Sequence, residues 1–288
     1  MAVSFADVAA KLGAGEQLSK EDVQTLEADR DIVALGMLAD AERRKRHDAR
    51  VTFVRVAEFV PGDTPARSAG EVRIAATPPS LDAAVAIVAD AHDAAAGIPL
   101  SGFSLADLEG FSDPLPVVLS ALKNAGLESI AYAPLDRLKR PEHSLEAVTD
   151  AGLSVGRVTV DGRPSREWSD VCGHLAALQG KLQSLRTFAP LSRRPNVTEP
   201  TTGYEDVKRV ALSRLLIGNV DTIQVDWALY GPKLAQVALA FGADDIDSVS
   251  AEGVDSQGHR RSPLEEIRRS IQAAGFAPAE RNARFQLV

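Results

Sequence analysis

The chain has 288 residues, 45% of them hydrophobic, and a formal net charge of −8 from 40 acidic and 32 basic side chains. That length buries a core of ordinary size in one domain or two, and the acidic balance offers no basic field for nucleic acid or an anionic bilayer. There is no apolar run of about 18 residues and no basic-then-apolar leader, so a cytoplasmic protein without a membrane partner is expected; the single cysteine, Cys172, excludes an internal disulfide.

Ser19 opens a helix with acids in its first turn. In a second helix Ile32, Leu35, Leu38 and Ala39 recur at helical spacing, and the run RRKRH closes it where the macrodipole favours cations. Residues 1–50 therefore read as a helical leader. VTFVRVAEFV (51–60) reads as a strand, PGDTPARSAG as a short loop without a helix, and EVRIAAT as a second strand. Helical and strand patterns then alternate to the C-terminus. Strands fall near residues 51, 71, 98, 128, 153, 185, 222 and 245, the seventh being TIQVDWAL and the eighth DIDSVSAE. Eight such steps over residues 51–288 predict a (β/α)₈ TIM-type barrel.

Chemistry in such barrels sits at the C-terminal ends of the strands. Glu252, Asp247 and Tyr132 are the acid–base candidates there. Ser101, Phe103, Arg193, Arg194, Trp227, Tyr230 and Lys233 are the ligand-contact candidates. Arg193 and Arg194 offer guanidinium forks for a carboxylate, Trp227 and Tyr230 planar faces, and Lys233 an ammonium near a helix N-terminus. A flexible surface pair, simple packing and a solvated lysine are the plain alternatives. Asp244, Asp245 and Asp247 resemble a metal cluster, but only Asp245 and Asp247 share a strand face, too few oxygens for a hard ion. The five histidines show no metal-binding spacing, so no metal is expected.

Thr202, Gly203, Arg214, Leu215, Asn219, Trp227, Gly231, Lys233, Gln236, Phe241, Gly242, Ala243, Asp245 and Glu252 fall in a pattern that resembles the C-terminal third of the menaquinone-pathway radical SAM enzymes, aminofutalosine synthase and cyclic dehypoxanthine futalosine synthase. The resemblance implies a radical-SAM-like barrel behind a helical leader. It also implies a C-x3-C-x2-C loop after the first strand, holding a [4Fe–4S] cluster that cleaves S-adenosylmethionine, and glycine-rich turns after strands two and four. Here the loop is EFVPGDTPARSAG, and the turns read AATPPS and AYAPLDRL. Prolines remove N–H donors and side chains fill space that glycine leaves open. The expectation is a barrel with neither [4Fe–4S] cluster nor S-adenosylmethionine. It would act in or near menaquinone biosynthesis, binding a small carboxylate or nucleoside metabolite or joining a cluster-bearing paralogue as a non-catalytic subunit. The rival is a cluster-independent enzyme doing acid–base or lyase chemistry on a futalosine-pathway or chorismate-derived intermediate. Whether strands one and two close across so short a loop stays open; an unclosed side would fit the subunit role.

Overall fold

Three helices precede the first strand in the computed structural model, which describes residues 3–162, 167–194, 201–252 and 262–288. They are α1 (Phe5–Ala14), α2 (Lys20–Ala28) and α3 (Ile32–His47). Ser4 and Ser19 form capping boxes with Asp7 and Asp22, and the Asp31 carboxylate accepts from the amides of Val33 and Ala34. Sequence reading missed α1, whose signal is the Ser4/Asp7 pair.

The chain then alternates as expected. The strands are β1 (Arg50–Phe59), β2 (Glu71–Ile74), β3 (Leu100–Ser104), β4 (Ser129–Pro134), β5 (Ser154–Val155), β6 (Val158–Thr159), β7 (Thr187–Ala189), β8 (Thr222–Asp226), β9 (Asp245–Ser250) and β10 (Ala277–Arg281). The helices between and after them are α4 (Leu81–Ala95), α5 (Leu105–Leu108), α6 (Leu115–Asn124), α7 (Pro141–Asp150), α8 (Trp168–Leu182), α9 (Gly203–Leu216), α10 (Trp227–Leu239) and α11 (Pro263–Ala273). The short pieces β5 and β6 share the fifth staff of the barrel, broken at Gly156, where a Cβ would come within 3.1 Å of the Ile130 carbonyl.

Every named strand pair is parallel, and β9 pairs back onto β1, so the sheet is a closed barrel of eight staves. The loop of residues 60–70 closes the barrel despite its length: Val56–Phe59 pairs with Glu71–Ile74, and the Ser68 hydroxyl donates to the Ala251 carbonyl at 2.9 Å. The unclosed side that would have fitted a subunit role is therefore not there.

Strand β10 was not legible, because APAER has no β-branched residue and carries a proline. Val56 pairs with both β2 and β9, and Thr52 with both β9 and β10, so β10 lies on the β2 edge of β1, beneath β2. At that junction a Cβ on Gly70 would lie 2.7 Å from the Arg281 carbonyl. A second difference is at Trp227. The seventh strand stops at Asp226, whose carboxylate caps the next helix through the Leu229 amide at 2.9 Å, so Trp227 is the first residue of α10 and not a strand residue. That helix bends at Gly231, whose φ is 76°, just before Pro232.

Candidate functional site

The inward faces of the strands carry charge. Strand side chains alternate, so Glu71 and Arg73, Asp245 and Asp247, and Gln224 and Asp226 each point inward as i, i+2 pairs. They build two levels. At the lower level Asp245 accepts from Arg281 Nε and Nη2 at 2.7 and 2.6 Å, from Gln224 Nε2 at 2.6 Å and from the Thr52 hydroxyl at 2.5 Å. At the upper level two carboxylates face two guanidiniums. Arg73 donates to Asp247 through Nη2 and Nη1 at 2.8 and 3.2 Å and to Glu71 through Nε at 2.7 Å. Arg157 pairs with Asp247 and, at 3.4 Å, with Glu71. Burial disfavours the Glu71 carboxylate, but the Arg73 and Arg157 charges outweigh it and hold this acid well below its ordinary range. Burial and the neighbouring Arg73 push Arg157 down to about 10, even though Glu71 opposes them.

Above this square lies Tyr132 of β4. Its hydroxyl accepts from Arg73 Nη1 at 3.1 Å, and its ring carries the Arg193 guanidinium 3.2 Å from the centroid. Burial would raise the phenol, yet Arg73, Arg157 and Arg193 together lower it from its ordinary value. Tyr132 forms part of the floor of a cavity of about 250 Å³ at the C-terminal ends of the first six staves. Four arginines and three carboxylates line it: Arg73, Arg137, Arg193 and Arg194 against Glu58, Asp107 and Asp161. Arg137 spans Asp107 and Asp161 at 2.8 and 2.9 Å, and Arg194 lies 3.3 Å from Asp161. Arg193 pairs with no carboxylate among the described residues, and its guanidinium lies on the Tyr132 ring. Phe103, also in the lining, holds a left-handed φ of 64°, a conformation that costs a non-glycine residue about 1–3 kcal/mol and often marks a ligand site.

The structure thus brings Tyr132, Phe103, Arg193 and Arg194 to one pocket. It places the other candidates elsewhere. Ser101 lies beneath, donating to Glu71 at 2.5 Å. Asp247 is 1% exposed and clamped by two arginines, below the pocket. Tyr230 donates to the Ser192 carbonyl at 2.7 Å and lines a separate small cleft with Asp247. Trp227 packs half-buried against the core, while Lys233 and Glu252 are exposed and outside the pocket lining. Asp244, on the opposite face from Asp245 and Asp247, pairs with Arg214. Among the described residues no group of His, Cys, Asp or Glu is arranged to hold a metal ion. Sequence reading missed Arg73, Arg137 and Arg157; the only signal for Arg73 and Arg157 was an arginine amid the apolar residues of a predicted strand, and Arg137, in the turn after β4, offered none.

Residues 172–288 match the family model described as the CofH/MqnC C-terminal region. The aminodeoxyfutalosine synthase of Thermus thermophilus is 28% identical over 231 residues, 67% of this chain and 61% of that protein. The chain is similar to the aminodeoxyfutalosine synthases, most specifically through this C-terminal region. The 5-amino-6-(D-ribitylamino)uracil–L-tyrosine 4-hydroxyphenyl transferase of Methanopyrus kandleri is 29% identical over 59% of this chain and 55% of its own, so the chain aligns with little more than half the length of these relatives. Among solved structures, methylornithine synthase (PylB) superposes with a TM-score of 0.65 at 14% identity over 94% of this chain and 97% of its own. The hydrogenase maturase HydG from Carboxydothermus hydrogenoformans superposes with a TM-score of 0.69 at 13% identity over 96% and 79%. At such identities these likenesses establish the fold alone.

The thiol donors present do not fit a three-thiolate cluster of this family's kind. Residues 60–70, VPGDTPARSAG, hold no cysteine. Cys172 is buried in α8, and burial pushes its thiol up, away from the thiolate that ligates iron. No helix is long and apolar enough to cross a membrane among the described residues.

Proposed function

We propose that this barrel works without an iron–sulfur cluster of its own and binds a small carboxylate-bearing metabolite in the pocket over Tyr132, in or near menaquinone biosynthesis. The observation that carries this reading is Arg193, a guanidinium held on the Tyr132 ring with no carboxylate partner among the described residues and facing the cavity. Such a fork is pre-oriented for a carboxylate, and Arg194 and Arg137 stand in the same lining. The test is thermal unfolding against S-adenosylmethionine, small carboxylates and futalosine-type nucleosides. A ligand at 100 times its Kd adds about 2.7 kcal/mol of stability. A shift with a carboxylate that vanishes in Arg193→Ala is expected. A cluster that forms on anaerobic reconstitution and cleaves S-adenosylmethionine would refute the reading.

Two versions of this function differ in who uses the ligand. The subunit version draws support from the outer surface: α3 meets the turn after α10 at Gly36 and Phe241, and within about one turn of these residues along the chain Val33, Met37 and Val237 are 64%, 70% and 48% exposed. It requires co-purification with a cluster-bearing paralogue, abolished by Met37→Glu. The enzyme version draws support from Tyr132, a phenol lowered by three guanidiniums at the pocket floor and suited to proton transfer. It requires a turnover that Tyr132→Phe removes and whose pH profile follows that phenol.

A further inference from the structure

Beneath Arg193 a second, smaller cleft opens between β6 and β9, of about 10 Å³, near the volume of one water probe. Arg157, Thr159, Gln224, Asp226 and Asp247 line it, closed above by Tyr230 and Arg193. Arg157, Thr159 and Gln224 are 4%, 0% and 1% exposed. Arg157 Nε, Thr159 Oγ1 and Gln224 Oε1 have no hydrogen-bond partner among the described residues. They represent a donor, a donor–acceptor and an acceptor. A buried polar group without a partner is costly and calls for an explanation, and the three residues that carry these groups line one cleft. Arg193 lines this cleft and the larger pocket alike, so its side chain is the partition between them.

We infer that the cleft is the hydroxyl-recognising half of the ligand site, reached when the Arg193 side chain swings from Tyr132 onto the ligand carboxylate. This rests on the carboxylate reading of the outer pocket. The three unpartnered groups match the two-way hydrogen bonding of an alcohol, so the substrate class is a hydroxylated carboxylic acid. A carboxylate there would face Asp226 and Asp247, and a cation would face Arg157; a hydroxyl meets neither objection. The apolar part of the lining is small, supplied by Leu191, Ala189 and Leu229.

The probes are shikimate and its deoxy counterpart cyclohex-1-enecarboxylate, measured by calorimetry on the wild type and on Thr159→Val. The variant is nearly isosteric and gives up a hydroxyl that has no partner among the described residues, so its melting temperature without ligand is expected to be unchanged or raised. The wild type is expected to bind the hydroxylated acid at least about tenfold more tightly, one good hydrogen bond being worth about that factor. Thr159→Val should lose that preference while binding the deoxy acid as before. Equal binding of both acids by the wild type would overturn the inference and leave the carboxylate reading standing. So would a preference that survives Thr159→Val. Binding of neither acid would refute both. A lower melting temperature for ligand-free Thr159→Val would identify the cleft as a structural water site and overturn the inference too.

Discussion

Replacing Asp247 by asparagine tests whether the upper charge square holds the barrel together. Asp247 is 1% exposed, accepts from Arg73 at 2.8 and 3.2 Å and pairs with Arg157. In Asp247→Asn, two buried guanidiniums are left with Glu71 as their one directly paired carboxylate among the described residues. Leaving a buried charge unpaired costs about 3–5 kcal/mol, a large part of the roughly 5–15 kcal/mol available to a folded chain. For a chain of this size each kcal/mol moves Tm by about 2–4 °C, so a fall of roughly 10 °C is expected. Urea unfolding followed by circular dichroism, with the calorimetric Tm, measures it. The double change Arg157→Met with Asp247→Leu removes one charge of each sign and is expected to recover at least half of the loss. If Asp247→Asn unfolds within about 1 kcal/mol of the wild type, water screens the square and the assignment of Asp247 to structure fails.

The same square predicts the response to acid. Glu71 has its carboxyl lowered from 4.5 to about 2, so its contribution is fully present above pH 4.5 and is lost as pH falls towards 2; the stability gap between wild type and Glu71→Gln should narrow over that window and stay constant above it. Gly70→Ala places a Cβ 2.7 Å from the Arg281 carbonyl, which is backbone and cannot swing aside; a loss of about 1–3 kcal/mol is expected, with faster amide exchange in β10, and unchanged exchange would refute the packing described for that joint. Lys233→Ala and Glu252→Gln, both exposed and outside the pocket, should change stability by no more than about 0.5 kcal/mol and leave carboxylate binding intact; a loss of binding would move the site towards β9.

The barrel was legible because its cues are local and periodic. Alternating apolar strands and capped helices at regular intervals need no tertiary information, and the eight expected strands lie at β1 to β9, the fifth as the broken pair β5 and β6 and the seventh ending at Asp226. Strand β10 escaped because its pairing is set by the free lower edge of β1, a long-range fact that APAER does not encode. The clearest part of the family pattern also speaks to the scaffold more than to the site. Arg214 is buried, donates through Nε to the Gly242 carbonyl at 2.9 Å and pairs with Asp244, while Gly242 is needed because a Cβ there would sit 2.9 Å from Arg214. Asp245 clasps Arg281 of β10. These residues fasten the barrel. The pocket is instead built from Arg73, Tyr132, Arg137 and Arg193, which are scattered along the chain, and no spacing rule connects them.

The geometry of the lumen bears on which ligand class fits. Glu71, Arg73, Arg157 and Asp247 neutralise one another across the barrel axis and fill it, so a ligand descends no further than Tyr132 while Arg193 stays on its ring. The space above is about 250 Å³, slightly below the range of about 300–1,000 Å³ typical of sites for larger ligands. A small acid fits that volume better than a nucleoside does. Movement of Arg193 adds the cleft lined by Thr159 and Gln224, which is polar and narrow and so extends recognition by one hydroxyl without admitting a second ring. The expected order of affinity is therefore hydroxylated acid, then simple acid, then nucleoside. A nucleoside that binds more tightly than either acid would mean that the charge square itself opens, which Asp247→Asn would then make easier.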